Sequence, residues 1–321
     1  MNRLNFKAAT YNIWHESYEA EGGIVHSPIR YDRIAALLGD QFDLIAIQEI
    51  SRAAFDSIGK ELKGYWSVFQ PHPNRPDGVA IFAKANVFDW LKTEAIEIPR
   101  GDSKSGLLIK LAHKSAGKIV SIATSHFKGG HYPDRAAGDL ECEAVAYALN
   151  QADGNLKILA GDFNQGSKEQ QNNRVSNIKQ RYGFQEETQN EYDTDPCNGR
   201  RIDFLLYKTD HETEVALATA PPRIVAPFLE AEVSDHLPFI QEFQFLRAAP
   251  RENGPPGDSP DEPLEPITQE QQIGTGPVAG ASNLNAPPVA QDDRIPDANR
   301  IQIQQDAEDQ SVQPKPSKPL G

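Results

Sequence analysis

Short apolar runs rich in Val, Ile and Phe recur through the first 246 residues, and several of them stop on a carboxylate, an amide or an imidazole. The runs are Phe6 to Ile13, Phe42 to Gln48, Gly78 to Ala83, Gly106 to Ala112, Lys118 to Thr124, Lys157 to Ala160, Arg201 to Tyr207, Glu214 to Thr219 and Leu237 to Phe245. Runs of about 4–8 residues with this composition predict buried strands. Helical periodicity lies between them. Ser27-Pro28 opens a helix over Ile29 to Leu38 that Gly39 closes, by the preference for a cap residue followed by Pro at the first turn. Pro133 to Asn150 predicts a longer helix with Ala137, Leu140, Ala144 and Ala148 on its apolar face, and Ser51 to Leu62 a weaker one. Strands outnumber helices, which gives an α/β sandwich of two sheets covered by helices.

The pattern ends at about Arg247. From there to Gly321 the chain has no Phe, Trp or Tyr, and it holds 13 of the 24 prolines with 6 basic and 12 acidic residues. Residues 1–246 keep 26 basic and 34 acidic groups, a net charge of -8 within the chain's -14. The first part can bury a core, and the second cannot offset its ordering entropy. The expected organisation is therefore a catalytic domain over 1–246 and a disordered Pro/Gln/Asp-rich tail over 247–321. Pro260 to Pro266 has the PxxP spacing of polyproline II, either as a solvated tail or as a site for a protein partner.

Several classes drop out. No stretch approaches the ~18 consecutive apolar residues of a transmembrane helix. The start lacks an apolar run of signal-peptide length, so a cytoplasmic location is the expectation, with signal-less export left open. Cys142 and Cys197 stand far apart, which excludes a disulfide framework and a cysteine-based zinc site. The overall acidity argues against a non-specific nucleic-acid coat. A monomer is expected.

The polar residues at the run ends carry the chemistry. They are Tyr11-Asn12, Gln48-Glu49, Ser125-His126, Gly161-Asp162-Phe163-Asn164, Ile202-Asp203 and Ser234-Asp235-His236. Gathered at one edge of a sandwich, such carboxylates, amides and imidazoles suit a hard cation such as Mg2+ and a phosphate oxygen beside it. Each also has a plain alternative. Asn12 suits a turn, Glu49 a helix start, Asp162 and Asn164 an Asx turn, Asp203 a surface ion pair, and Asp235-His236 a capped turn.

Taken in order, the six blocks resemble the endonuclease/exonuclease/phosphatase superfamily, and they span roughly Ala9 to Phe245. The resemblance implies a four-layer α/β/β/α sandwich with two central mixed sheets. It implies a metal-dependent phosphodiesterase acting on a nucleic acid or nucleotide through an activated water. The alternatives are a phosphomonoesterase on a nucleotide cofactor or inositol phosphate, a sphingomyelinase-like lipid phosphodiesterase, and a non-enzymatic binding module. By the same resemblance, Glu49 ligates Mg2+ (or Mn2+) directly, with Asn12 and Asp235 on the metal side. Asp162 orients or deprotonates the water, and Asn164 supports water and phosphate. His236 hydrogen-bonds a phosphoryl oxygen, His126 contacts the phosphate or leaving side, and Asp203 orients an imidazole.

Trp14 stands where some members of the family carry a polar residue, which weakens an argument for two metals. His15 and Glu16 behind it read as loop polarity. Asp77 to Lys84 and Ser125-His126-Phe127-Lys128-Gly129 are similar to segments of the nocturnin/deadenylase branch, while Tyr11-Asn12-Ile13-Trp14 is similar to tyrosyl-DNA phosphodiesterase relatives. On the first likeness Lys128 and Arg135 contact substrate phosphate. Their alternative is a solvated loop and helix start, and Arg30 and Arg33 have the same ambiguity. The net charge of -8 favours a short substrate over a long polynucleotide, whose phosphates call for a basic track.

Overall fold

In a computed structural model, the described residues are 4–18, 29–39, 41–96, 98, 104–129, 134–165, 174–186, 192–209, 215–218, 226–231 and 233–246. The expected tail, 247–321, lies outside them, as does the side chain of Arg135.

The strands are β1 (Asn5–Asn12), β2 (Leu44–Ser51), β3 (Tyr65–Pro71), β4 (Asp77–Lys84), β5 (Phe88–Ile96), β6 (Gly106–His113), β7 (Lys118–His126), β8 (Leu156–Asp162), β9 (Gln185–Glu186), β10 (Asp203–Thr209), β11 (Val215–Ala218) and β12 (Phe239–Phe245). The helices are α1 (Ile29–Gly39), α2 (Arg52–Glu61), α3 (Asp134–Gln151), α4 (Arg174–Tyr182) and α5 (Ala226–Ala231). The described strands form two six-stranded sheets, ordered β11-β12-β1-β2-β4-β3 and β5-β6-β7-β8-β10-β9. Each is mixed. β1 and β2 run parallel in the first and β7 and β8 in the second, and every other pairing is antiparallel.

The two sheets pack face to face. Phe6, Leu44, Ile81, Leu107, Ile122, Ile158, Phe239 and Phe243 fill the space between them. The outer face of the first sheet is covered by α1, α2 and α5 through Ile34, Leu38, Ile58 and Phe228. The outer face of the second is covered by α3 and α4 through Cys142, Val145, Leu149 and Ile178. This is the four-layer α/β/β/α sandwich expected. Burying each large side chain contributes about 1.5–3 kcal/mol, and side chains on both faces of the central strands do so.

Helix faces follow the 3.6 period. Arg30, Tyr31, Ile34, Ala35 and Leu38 are the buried residues of α1. Ser51 caps α2, its hydroxyl accepting from the Ala54 N–H at 3.1 Å. On α3 the buried face differs from the expected one. Leu140 is 53 % exposed, while Gly138, Glu141, Cys142, Val145, Ala146 and Leu149 turn inward. A buried glutamate and a glycine at those positions hide the true stripe from a hydrophobicity count. Strands β3 and β5 and helices α4 and α5 lie outside the sequence expectation. Both strands are amphipathic with several exposed residues, and the two helices are short. Among the described residues no helix is long and apolar enough to cross a membrane.

Candidate active site

The two parallel pairs place their C-terminal ends side by side. Asn12 of β1 stands opposite Gln48 of β2, and His126 of β7 opposite Asp162 of β8. The antiparallel strand β10 begins with Asp203 opposite Asp162. Beneath them buried polar groups tie the sheets together. Thr10 Oγ1 donates to Gln48 Oε1 at 3.2 Å, and Gln48 Nε2 donates to Thr124 Oγ1 at 3.0 Å.

Glu49 reaches this edge through a bulge. The register of β2 against β4 passes from Gln48↔Val79 to Ile50↔Gly78, so Glu49 is the extra residue, with φ 56°. Bulges re-aim a side chain in this way. Trp14 at φ 57° and Asn164 at φ 50° also hold left-handed backbone. Three residues around one cleft thus hold a sparsely populated backbone conformation. Gly161, with φ 156°, passes so close to the Ser125 carbonyl oxygen that a Cβ there would collide with it.

The Asn12 amide N–H2 joins two carboxylates. It donates to Glu49 Oε1 at 3.2 Å and to Asp162 Oδ2 at 3.1 Å, while its oxygen accepts from the Trp14 N–H at 3.0 Å. The other Glu49 oxygen accepts from the His15 N–H at 3.1 Å. His15, expected to be loop polarity, is thus buried and its backbone orients Glu49. Asp162 Oδ1 accepts from the Asn164 N–H at 2.7 Å. Burial first and the nearby Asp203 charge second raise the pKa of Asp162, opposed by His236, the Asn164 N–H and Asn12.

His236 Nδ1 donates to Asp203 Oδ2 at 2.8 Å. Burial alone would lower the pKa of His236. The Asp203 charge and hydrogen bond outweigh it, with Asp162 and Asp235 behind, and hold the imidazole well above its ordinary value. Asp203 is placed by Thr194, whose hydroxyl accepts from the backbone N–H groups of Ile202 and Asp203, each at 3.0 Å. Asp235 lies 4.0 Å from His236 Nε2. Burial, with a smaller push from Glu49, raises its pKa. Ser234 Oγ donates to the Asn12 carbonyl at 2.8 Å, locking the turn before β12 onto the end of β1.

His126 bridges the carboxylates from the opposite side, with Nδ1 3.5 Å from Glu49 Oε1 and Nε2 3.5 Å from Asp162 Oδ2. Its Nδ1 is 2.8 Å from Lys104 Nζ and its Nε2 2.8 Å from Asn164 Nδ2. Burial first, then Lys104, His72, His236 and Arg75, push its pKa well below the ordinary value, so the ring is neutral. A neutral imidazole accepts at one nitrogen only. One of the two flanking nitrogens, or the Asn164 amide turned over, therefore meets the ring's own N–H.

The residues fit a hard divalent cation. Carboxylate oxygens dominate the donor set, and among the described residues Asp203 Oδ1 is buried without a hydrogen-bond partner. Asp162, Asp203 and His236 bring possible ligand atoms within 4.8 Å of one another. That group differs from the expected Asn12, Glu49 and Asp235. His236 Nδ1 is committed to Asp203, which reads as an oriented imidazole, and Glu49 offers the more open carboxylate at the cleft. Asn12 turns its N–H2 toward both carboxylates, so it positions them.

Lys128, two residues after His126, is half-buried, its backbone N–H donating to Glu141 Oε2 at 2.7 Å. Arg30 is structural. It is fully buried, and its Nη1 donates to the Ile13 and Val233 carbonyls at 2.5 and 3.1 Å. Arg33 is exposed. Sequence reasoning missed Lys104, Thr194, Glu141 and Arg174. Arg174 donates to the Phe163 carbonyl at 2.5 Å and to Asp139 at 2.8 Å, bracing the turn that carries Asp162 and Asn164. No local pattern marks these four; only the tertiary fold brings them in.

Known proteins share this fold. The Drosophila melanogaster protein Nocturnin is 25% identical over 150 residues, 42% of this chain and 23% of that protein, so the match spans under a quarter of its length. The solved human Nocturnin catalytic domain with bound sulfate superposes with a TM-score of 0.58 at 19% identity, covering 76% of this chain and 94% of that one. ANGEL2, a 2',3'-cyclic phosphatase, gives 0.53 at 16%, covering 76% and 96%. Danio rerio TDP2 with a single-stranded DNA product gives 0.57 at 15%, covering 75% and 99%. These likenesses show the fold. Residues 9–236, which contain every block of the site, match the family model, and the chain belongs to the Endonuclease/Exonuclease/phosphatase family.

Proposed function

We propose that the chain is a divalent-metal-dependent phosphodiesterase that hydrolyses a phosphoester of a nucleic acid or nucleotide, with residues 1–246 as the catalytic unit. The observation that carries this reading is the buried Asp162 carboxylate. Asn12 and Asn164 grip it, and it stands opposite Asp203 at the head of the Asp203–His236 pair.

Glu49 would hold the cation, with Asp235 on the same side and Asn12 fixing the carboxylate's direction. Mg2+ suits these oxygen donors, and Mn2+ can replace it. Such a cation supplies positive charge to a phosphoryl oxygen and so offsets the repulsion between an anionic ester and its nucleophile. Asp162 accepts the proton of the attacking water, whose oxygen bonds to phosphorus as the ester P–O bond breaks and the leaving oxygen departs as an alcohol, taking its proton from solvent. A positioned base of this kind adds ~10²–10⁴ in rate. Asn164 fixes Asp162 through its N–H and keeps the water in line. His236, oriented by Asp203, donates to a phosphoryl oxygen, a charge-assisted hydrogen bond when the ring is protonated. His126 contacts the phosphate from the opposite side, and Lys128 and Arg135 contact the substrate beyond it.

The net charge of -8 over residues 1–246 supports a short substrate, a nucleotide or a nucleic-acid end. ANGEL2 and TDP2, whose substrates and products are of this chemistry, support the same class. The test is hydrolysis of bis-p-nitrophenyl phosphate and of labelled RNA, with a phosphate-release assay on nucleotides run beside it. Release of inorganic phosphate without diester cleavage replaces the reading by a phosphomonoesterase at the same site.

A further inference from the structure

The side chain of Lys104 is only 6 % exposed, yet it lies in the segment before β6, outside any helix or strand. Among the described residues its nitrogen makes one hydrogen bond, the 2.8 Å contact with His126 Nδ1. If the nitrogen is an ammonium, it donates one N–H to the ring and keeps two. If it is an amine, it accepts from the ring N–H and again keeps two. In both states two N–H groups are buried and uncommitted among the described residues.

Those groups lie at the chemistry. His126 Nδ1 is shared between Lys104 and Glu49 Oε1, which is 3.5 Å from the same ring atom. The other ring nitrogen faces Asp162 and Asn164. The segment is held in place. The Ser105 N–H donates to His72 Nδ1 at 2.8 Å, and Ser105 Oγ donates to the Pro71 carbonyl at 2.8 Å. Ser125 Oγ on β7 donates to the Ser105 carbonyl at 3.1 Å. Three hydrogen bonds to Ser105 thus fix the residue next to Lys104, and an amine brought this far from water without its full set of partners is arranged to meet an acceptor that arrives later.

We propose that Lys104 is a substrate-binding residue of this site, its two spare N–H groups donating to phosphoryl oxygens of the bound ester on the side of the cleft opposite His236. The proposal rests on the phosphoesterase reading and deepens it. The phosphoryl group would be held between two nitrogen donors from different sheets, Lys104 on the β6–β7 side and His236 on the β12 side.

The experiment measures binding of inorganic phosphate by calorimetry, in the presence of Mg2+, to the full chain, to Lys104→Met and to Lys104→Gln. Turnover of bis-p-nitrophenyl phosphate and melting temperature are recorded beside it. Lys104→Met should bind phosphate at least ~10-fold more weakly and lose ~10²–10³-fold in kcat/KM, the effect of removing one donor to the reacting group. Lys104→Gln, which keeps an N–H2, should fall between Met and wild type in both. The melting temperature should not fall in Lys104→Met, which separates lost binding from lost structure. Phosphate binding and turnover within about threefold of wild type in Lys104→Met, well short of the loss of a donor, overturn the proposal, as does a wild type that binds no phosphate. Should Lys104→Met misfold, Lys104→Gln with unchanged phosphate binding overturns it. Phosphate binding that depends on Lys104 without any ester hydrolysis by the wild type leaves Lys104 in place and removes the phosphodiesterase reading instead.

Discussion

His236 Nδ1 lies 2.8 Å from Asp203 Oδ2, a contact that joins the turn before β12 in one sheet to the first residue of β10 in the other. Because the imidazole acts through the orientation and charge that Asp203 gives it, the pair should behave as a unit. Asp203→Asn and His236→Asn should each lower kcat by ~10²–10⁴, and the double variant should be little worse than the poorer single one. Additive losses in that cycle show two independent roles.

Cation binding should stabilise the fold. A site occupied at about 100 times its Kd adds ~2.7 kcal/mol, so Mg2+ should raise the melting temperature of the wild type. Glu49→Gln should abolish most of that rise, and a chelator should return the wild type to its metal-free value. An equal Mg2+ shift in Glu49→Gln removes Glu49 from the metal site.

Arg30 couples stability to the site. Its Nη1 holds the carbonyls of Ile13 and Val233, which neighbour Asn12 and Ser234. Arg30→Met leaves two buried acceptors without that donor and should cost about 2–4 kcal/mol in urea melts, with a drop in kcat. Full activity with unchanged stability makes the clamp dispensable.

His72 sets a pH limit. Burial first, then Lys104 and Arg75, lower its pKa from 6.5 to about 3, although Asp77 opposes them. Between those values the unfolded chain binds the proton and the folded one does not. Stability from this group is complete above about pH 6.5 and falls as pH drops toward about 3, by up to ~1.4 kcal/mol per unit. Denaturant melts of wild type and His72→Gln should show a shallower slope in the variant over roughly pH 6 to 4, by about one proton. Identical slopes contradict the assignment.

The sheets were readable because their central strands are buried on both faces and so run apolar without interruption, as in Leu44 to Ile47 and Ile158 to Ala160. The edge strand Tyr65–Pro71 and the strand Phe88–Ile96 escaped because each mixes exposed polar and aromatic residues. The site was readable where its side chains flank those apolar runs: Asn12, Glu49, His126, Asp162 and Asn164 at their ends and Asp203 and His236 at their starts meet at one edge. The bulge that turns Glu49 leaves no mark in the letters. Lys104, in Arg100-Gly101-Asp102-Ser103-Lys104, has the look of surface charge, and only the packing of Ser105 against His72 carries it inward.

Asp162 is the group on which the whole account turns. The most direct measurement is bis-p-nitrophenyl phosphate hydrolysis by the full chain in Mg2+, with and without chelator, compared with Asp162→Asn. Turnover should be abolished by chelator and kcat should fall by ~10²–10⁴ in the variant. Chelator-resistant turnover, or a variant as fast as the wild type, would contradict it.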